Sequence, residues 1–256
     1  MAIATRIDSS LSPTITQSTL ADALKTAFIN AGFSTPTDDY TSGTDRILVY
    51  RFDTETARNK GRNFLRVRIS NTLVIACLIG TDWNTTTKAM TDSSAEFAPT
   101  ALSASLPINF VSLNCASEGR FIFLSQGTAF IPLGILIPAN RPTWWNLDTW
   151  SYGYFFSTIT GLNFRGSSAN PYGNADNTAL TSAFLSNSNP GLSRDSLAGL
   201  VLLNNSNSGI SAKTSDDIGT AAGNGAIRYD TLSFNNNTQR YLLAVNTANG
   251  LIFRIQ

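Results

Sequence analysis

Histidine is absent from all 256 residues. That absence removes Ser-His-Asp and Cys-His catalysis, histidine-ligated zinc and haem, and histidine pH switching, while carboxylate-only chemistry survives. Charge is also scarce. Asp, Glu, Lys and Arg make up 14% of the chain, against about 25% in an ordinary soluble domain. The net charge of +1 supplies no global field toward nucleic acid or an anionic membrane, so nucleic acid is not an expected partner. No apolar run approaches the roughly 18 residues of a membrane span. The opening "MAIATRIDSSLSPTITQST" lacks the basic start and apolar stretch of a secretion signal, which implies folding in a cytoplasm. Neither the dinucleotide nor the Walker phosphate-loop pattern can be written onto the chain, and no repeat of about 20–50 residues recurs. Only two cysteines occur, Cys77 and Cys115. Both sit in strand-like apolar contexts, so they are expected as free, buried thiols, with a disulfide between neighbouring strands as the alternative.

What is present is 42% hydrophobic, enough for a substantial core. With so little charge, the polar surface must come largely from Ser, Thr, Asn and Gly, a composition that suits β-rich and particle-bound proteins. One stretch, "STLADALKTAFINAGF", reads as a helix. Leu20, Leu24 and Phe28 recur at four-residue spacing beside Ala27 and Ala31, Thr19 with Asp22 can act as a capping pair, and Gly32 is the natural stop. "RILVYRFD" (46–53), "FLRVRIS" (64–70) and "LVIACLIG" (73–80) read as an antiparallel meander under that helix. In the second strand Leu65, Val67 and Ile69 face one way, and Arg66 and Arg68 the other. Residues 82–105 read as a loop with one short helix.

"INFVSLNCA", "GRFIFLSQG" and "AFIPLGILI" are three further strands. Ser117–Gly119 forms the first turn, and Pro132 places the third strand at an edge or bulge. Residues 166–225 form an Asn/Ser/Gly-rich excursion, flexible or ordered, broken by apolar islands. Three strand-like runs then close the chain: "AIRYDTLSF", "RYLLAVNT" and "GLIFRIQ", with Asn249-Gly250 as a hairpin turn. The fold class is therefore α+β and β-rich. One N-terminal helix lies on an antiparallel sheet, followed by a larger sheet or sandwich-like region with long loops. The natural division is 1–105 and 106–256, with a single domain as the alternative.

Candidate chemistry is sparse. Asp38-Asp39 and Asp216-Asp217 are the adjacent acid pairs, and Glu55, Glu96 and Glu118 stand singly. A glycosidase needs two carboxyls in one groove, usually from different strands, and nothing marks such a pair. "NADN" (174–177) offers oxygen ligands without the spaced acids of a calcium loop, so neither metal nor cofactor is expected. Arg58, Lys60, Arg62, Arg66 and Arg68 form a mild basic run, read as a solvated face and charged loop. The sequons at Asn84, Asn204 and Asn236 carry no meaning without a secretory route.

The most distinctive stretch is "PANRPTWWNLDTWSYGYFF" (138–156). Trp144, Trp145, Trp150, Tyr152 and Tyr154 are the residues to which an interface or ligand platform is assigned, for three readings stand together. Alternate rings of "YGYFF" suit a core, Trp and Tyr suit a subunit contact, and Trp with Asn and Asp suits sugar binding. Adjacent Trp144 and Trp145, if extended, must point in opposite directions, which favours contact for at least one ring. On that basis Trp145→Ala is expected to impair assembly more than folding.

The order of segments adds one more reading. A helix ending "NAGF" leads to "RILVYRF", "FLRVRIS" and "GTDWN", then to "EGRFIFLSQG" and "LGILIPANRPTWWN". Over about the first 165 residues this order resembles virion structural proteins of tailed bacteriophages, especially tail, baseplate or fibre-associated proteins of phages of cyanobacteria and related hosts. The resemblance implies a non-enzymatic assembly component without a cofactor, present in several symmetric copies. Its partners would be copies of itself and other virion proteins, with host surface glycan a further one through the last ninety residues. The alternatives are a carbohydrate-binding adhesin using the Trp144–Trp150 cluster and a carboxylate-dependent glycan hydrolase.

Overall fold

The computed structural model describes residues 3–52, 59–173, 175–179, 196–204, 209–223, 225–234, 238–246 and 249–256. It opens on a strand, β1 (Thr5–Leu11), followed by helix α1 (Gln17–Asn30). Strands β2 (Asp38–Ser42), β3 (Asp45–Arg51), β4 (Phe64–Ile69) and β5 (Ile75–Gly80) form a four-stranded antiparallel sheet in sequence order. A hairpin of β6 (Asp82–Asn84) and β7 (Ala89–Thr91) follows. The expected short helix in 82–105 does not form; Phe97 instead makes a backbone bridge to Cys77 on β5.

The second sheet is larger. Strands β8 (Ile108–Asn114), β9 (Gly119–Gln126), β10 (Ala129–Leu136), β11 (Tyr154–Phe156), β12 (Asn163–Gly166) and β13 (Asp176–Ala179) run on in order. With β15 (Val201–Asn204) and β16 (Gly209–Lys213) at one end and β1 at the other, they make nine strands. A third sheet has the order β14 (Ser196–Leu197), β17 (Ile218–Ala222), β20 (Asn249–Arg254), β19 (Gln239–Leu243), β18 (Thr231–Phe234). The protein is thus α+β and β-rich, as its patterning implies.

The helix is wedged between two sheets. Phe28 stacks on Tyr50 of β3, with ring centroids 4.0 Å apart. On the other side Ser112 of β8 donates to the Ala27 carbonyl at 2.9 Å. Leu20, Ala21, Leu24, Ala27 and Phe28 are all buried, an apolar surface broad enough to serve both neighbours. Its N-cap is Thr16 rather than Thr19: the Thr16 side chain accepts from the Thr19 N–H, and Thr19 Oγ1 accepts in return from the Thr16 N–H. Thr19 therefore fills the third helical position of a capping box that Asp22 was expected to complete. Gly32 ends the helix as expected, at φ +91°, packed where any Cβ would strike Asn114.

Opposite faces of the large sheet serve different layers. Ser112 and its partner Ile122 look toward the helix, whereas Phe123 packs on Phe253 of the third sheet at 5.8 Å. One contiguous core runs from Ala4 to Phe253. Together with the β1–β8 ladder, it crosses the division expected at residue 105.

Several local expectations shift. The turn after β8 is closed by Glu118 N–H to the Cys115 carbonyl, a residue or two earlier than Ser117–Gly119. Pro132 lies opposite Phe123, while β11 reaches only Ile135 and Leu136, so its missing N–H falls on an edge of β10 as expected. The described part of 166–225 is strand-bearing, from β13 to β17, rather than loop. "AIRYDTLSF" contributes only Thr231–Phe234 as strand. Asn249 and Gly250 are not a turn but lie within β20, opposite Ala222 and Ala221; residues 247–248, ahead of them, lie outside the described residues. Cys77 and Cys115 are free and buried, and burial pushes both thiols well above their ordinary values. No helix among the described residues is long and apolar enough to cross a membrane.

Candidate functional site

The aromatic stretch occupies the connection from β10 to β11. Asn140 bridges Lys213 of β16 through two backbone hydrogen bonds of 2.9 and 3.0 Å. Arg141 donates from Nε to the Trp145 carbonyl at 3.2 Å and lays its guanidinium over the Tyr152 ring at 4.5 Å. Asn146 Oδ1 accepts from the N–H groups of Asp148 and Thr149, a side chain imitating a turn. These contacts hold the connection without regular secondary structure.

The five predicted rings do not form one surface. Trp144 is exposed at 56%, whereas Trp145 is at 2% and Tyr154 is fully buried. Tyr152 is buried too, and Trp150 is half-buried against the core. Residues 143–144 form a turn, so the opposed directions of an extended strand do not apply. Instead the two indoles stack, 5.9 Å apart and within 16° of parallel, one outside and one inside. Tyr172 closes the inner ring edge-on at 5.9 Å. Trp145 and Tyr154 are core residues, and burial pushes the Tyr154 hydroxyl above its ordinary pKa. Of the five rings, Trp144 is the one left exposed. The same connection holds a cavity of about 370 Å³ lined by Asn140, Arg141, Thr143, Trp145 and Asn146. The Trp145 indole N–H has no hydrogen-bond partner among the described residues.

A second concentration of chemistry covers the outer face of the four-stranded sheet. Arg66 and Arg68 both bind Glu96, at 2.9 and 2.7 Å, and Arg68 also binds Asp45 at 2.9 Å. Burial alone would raise the Glu96 carboxyl, but the two guanidiniums outweigh it and hold it below the usual range. Asp38 accepts from the Trp83 indole N–H at 2.9 Å and pairs with Lys88 at 2.8 Å, while Lys88 lies 4.6 Å over the Tyr40 ring. Of these, Tyr40, Asp45, Arg66, Arg68 and Lys88 border a groove of about 700 Å³.

The basic run is therefore not an open solvated face. Lys60 pairs with Asp92 and Arg62 with Asp82; Arg58 lies outside the described residues. The acid candidates are similarly engaged. Asp39 pairs with Arg46 at 2.5 Å and with Lys25, and buried Asp217 pairs with Arg254 at 3.2 Å. Asp216 supplies its backbone carbonyl to the Tyr241 hydroxyl. Buried Glu118 accepts from the Ala139 and Ser215 N–H groups and from the Ser215 hydroxyl. Glu55, Asn174 and Asn236 lie outside the described residues. In "NADN", Asp176 pairs with Arg165 and Asn177 accepts from Ser211. Among the described residues no group of three or more metal-ligating side chains comes together.

Arg141 and Trp83 were missed in the sequence. Arg141 is a lone cation ahead of a proline, and Trp83 finds its carboxylate on β2, 45 residues away. Neither partnership has a local signal. No protein-family model matches the chain, and no curated protein sequence matches it.

Proposed function

We propose that the protein is a non-enzymatic structural component of a phage virion, in the tail, baseplate or fibre region. It is made in the host cytoplasm and carried in the particle, where it works by contact with other copies and other virion proteins. The observation that carries this reading is Trp144, held out of the fold on a buried, stacked Trp145. An aromatic ring already fixed in place loses little entropy on docking and suits the centre of a protein contact. The resemblance in segment order and the sparse charge support the same reading. Mass spectrometry of density-gradient-purified particles tests it: the protein is expected at stoichiometric copy number. Recovery only in the soluble lysate overturns it.

One observation favours a second reading, a carbohydrate-binding adhesin. A cavity in the same connection is lined by Asn140, Arg141, Thr143, Trp145 and Asn146, a ring-and-amide mixture suited to sugar hydroxyls, and Trp144 stacks on its Trp145 ring. Host polysaccharide then quenches tryptophan emission in the wild type and not in Trp144→Ala, whereas the assembly reading expects no change in either. A carboxylate-dependent glycan hydrolase is the weaker alternative, because the described acid candidates Asp38, Asp39, Glu96 and Glu118 are engaged by internal partners.

A further inference from the structure

Strand β1 closes one end of the nine-stranded sheet, and among the described residues it is paired only with β8. Two other edges are covered by backbone bridges, β16 by Asn140 and β5 by Phe97. Along Thr5–Ser9 no such cover is present among the described residues. Ala4 N–H donates to the Arg254 carbonyl at 2.8 Å, which ties down the start of the strand and leaves the open stretch to begin at Thr5. An open strand edge is a template for another strand.

The side chains specify which strand. Arg6 and Asp8 share one face and are exposed, joined by hydrogen bonds of 2.8 Å from Nε and Nη2 to the two carboxylate oxygens. Arg6 is also steadied by the Tyr229 ring, 5.6 Å from its guanidinium carbon. Ile7, on the opposite face, is a large apolar side chain left 45% exposed. Consider a second copy of β1 laid antiparallel about a two-fold axis through Ile7. Thr5 then faces Ser9, Arg6 faces Asp8 of the second copy, Asp8 faces its Arg6, and the two Ile7 side chains meet. Directly opposed residues of an antiparallel pair project to the same face, where opposite charges attract and like charges repel. Moving the axis to Arg6 sets Arg6 against Arg6, and moving it to Asp8 sets Asp8 against Asp8. Parallel pairing likewise brings like charges together. The strand is self-complementary in one register.

We infer that β1 is a homodimer interface: two copies pair edge to edge through Thr5–Ser9 and join their nine-stranded sheets into one. This deepens the assembly reading above, on which its role in a particle rests, and it names a surface distinct from Trp144. A two-fold contact of this kind is isologous, each patch meeting its own copy.

Charge reversal tests the register directly. Sedimentation velocity of the full chain is expected to show a concentration-dependent dimer. Arg6→Asp and Asp8→Arg each place like charges in opposition and weaken it by about tenfold or more. The double variant R6D/D8R restores it, and an equimolar mixture of the two single variants pairs as well, since each supplies what the other lacks. Asp8 is exposed and the Arg6 side chain is about one-third exposed, so at concentrations where the wild type is monomeric every variant is expected to melt within a few degrees of it, which shows that the variants fold. A wild type that stays monomeric up to its solubility limit overturns the inference. Single variants that dimerise normally do so too, and a double variant or mixture that fails to recover overturns the register. Loss of dimer with the protein still present in purified particles leaves the virion reading standing; absence from particles with the dimer intact removes only that reading.

Discussion

The outer face of the four-stranded sheet and the connection leading into β11 both concentrate side chains capable of binding, and they dispose of them in opposite ways. On the sheet, Arg66, Arg68 and Lys88 each meet a carboxylate at 2.7–2.9 Å. Their charge is consumed within the molecule. In the connection, most rings are consumed by the core, yet Trp144 stays exposed and is stiffened by the ring beneath it. Availability to a partner therefore depends less on residue type than on whether the fold has already supplied the complement.

Trp145→Ala bears on this contrast most strongly. Removing a fully packed indole is expected to cost about 3–5 kcal/mol of folding stability, read as a lowered midpoint in urea unfolding. That runs against the expectation that the substitution impairs assembly more than folding. A midpoint close to wild type would put Trp145 on the surface side of the comparison.

Glu96→Gln probes the other region. Both guanidiniums lose their shared carboxylate, and a loss of about 1–3 kcal/mol at neutral pH is expected. The sign of the pH dependence follows from the lowered carboxyl. Its contribution is fully present above the ordinary glutamate value of about 4 and is lost as pH falls through the lower native value. Wild type and variant should therefore converge in stability below that range. Parallel pH profiles would show the network to be exposed and screened.

The smallest stability effect belongs to Trp144→Ala, within about 0.5 kcal/mol of wild type. Its consequence is expected in incorporation into particles, measured by competition with the wild-type chain. Normal incorporation together with normal stability would leave the ring without a role in assembly.

How much of this is legible in the sequence varies by element. Strands β4 and β9 are readable because Leu65, Val67 and Ile69, or Phe121 and Phe123, alternate with residues of the other face. Helix α1 is readable from its four-residue apolar spacing, although the cap moves to Thr16 because a threonine hydroxyl at the third helical position accepts as a carboxylate would. Strand β1 is not readable: "TRIDSSL" is polar, and its partner β8 lies far along the chain. The strands from β13 to β17 are hidden for a related reason. They are short, and some of their interior is bonded polar groups such as Asn177 with Ser211 instead of alternating apolar ones.

The sequence by itself determined the β-rich class, the position of the helix and the lack of any histidine chemistry, since composition and local periodicity act over a few residues; that the two thiols stay unpaired was settled by the fold. Tertiary structure alone decided that Trp144 is exposed while Trp145 is core, that the basic face is neutralised from Glu96 and Asp45, and that among the described residues β1 ends a sheet with one side open. Each of those outcomes depends on a partner brought from elsewhere in the chain. Burial and pairing are properties of two surfaces meeting, and a single stretch of sequence holds only one of them.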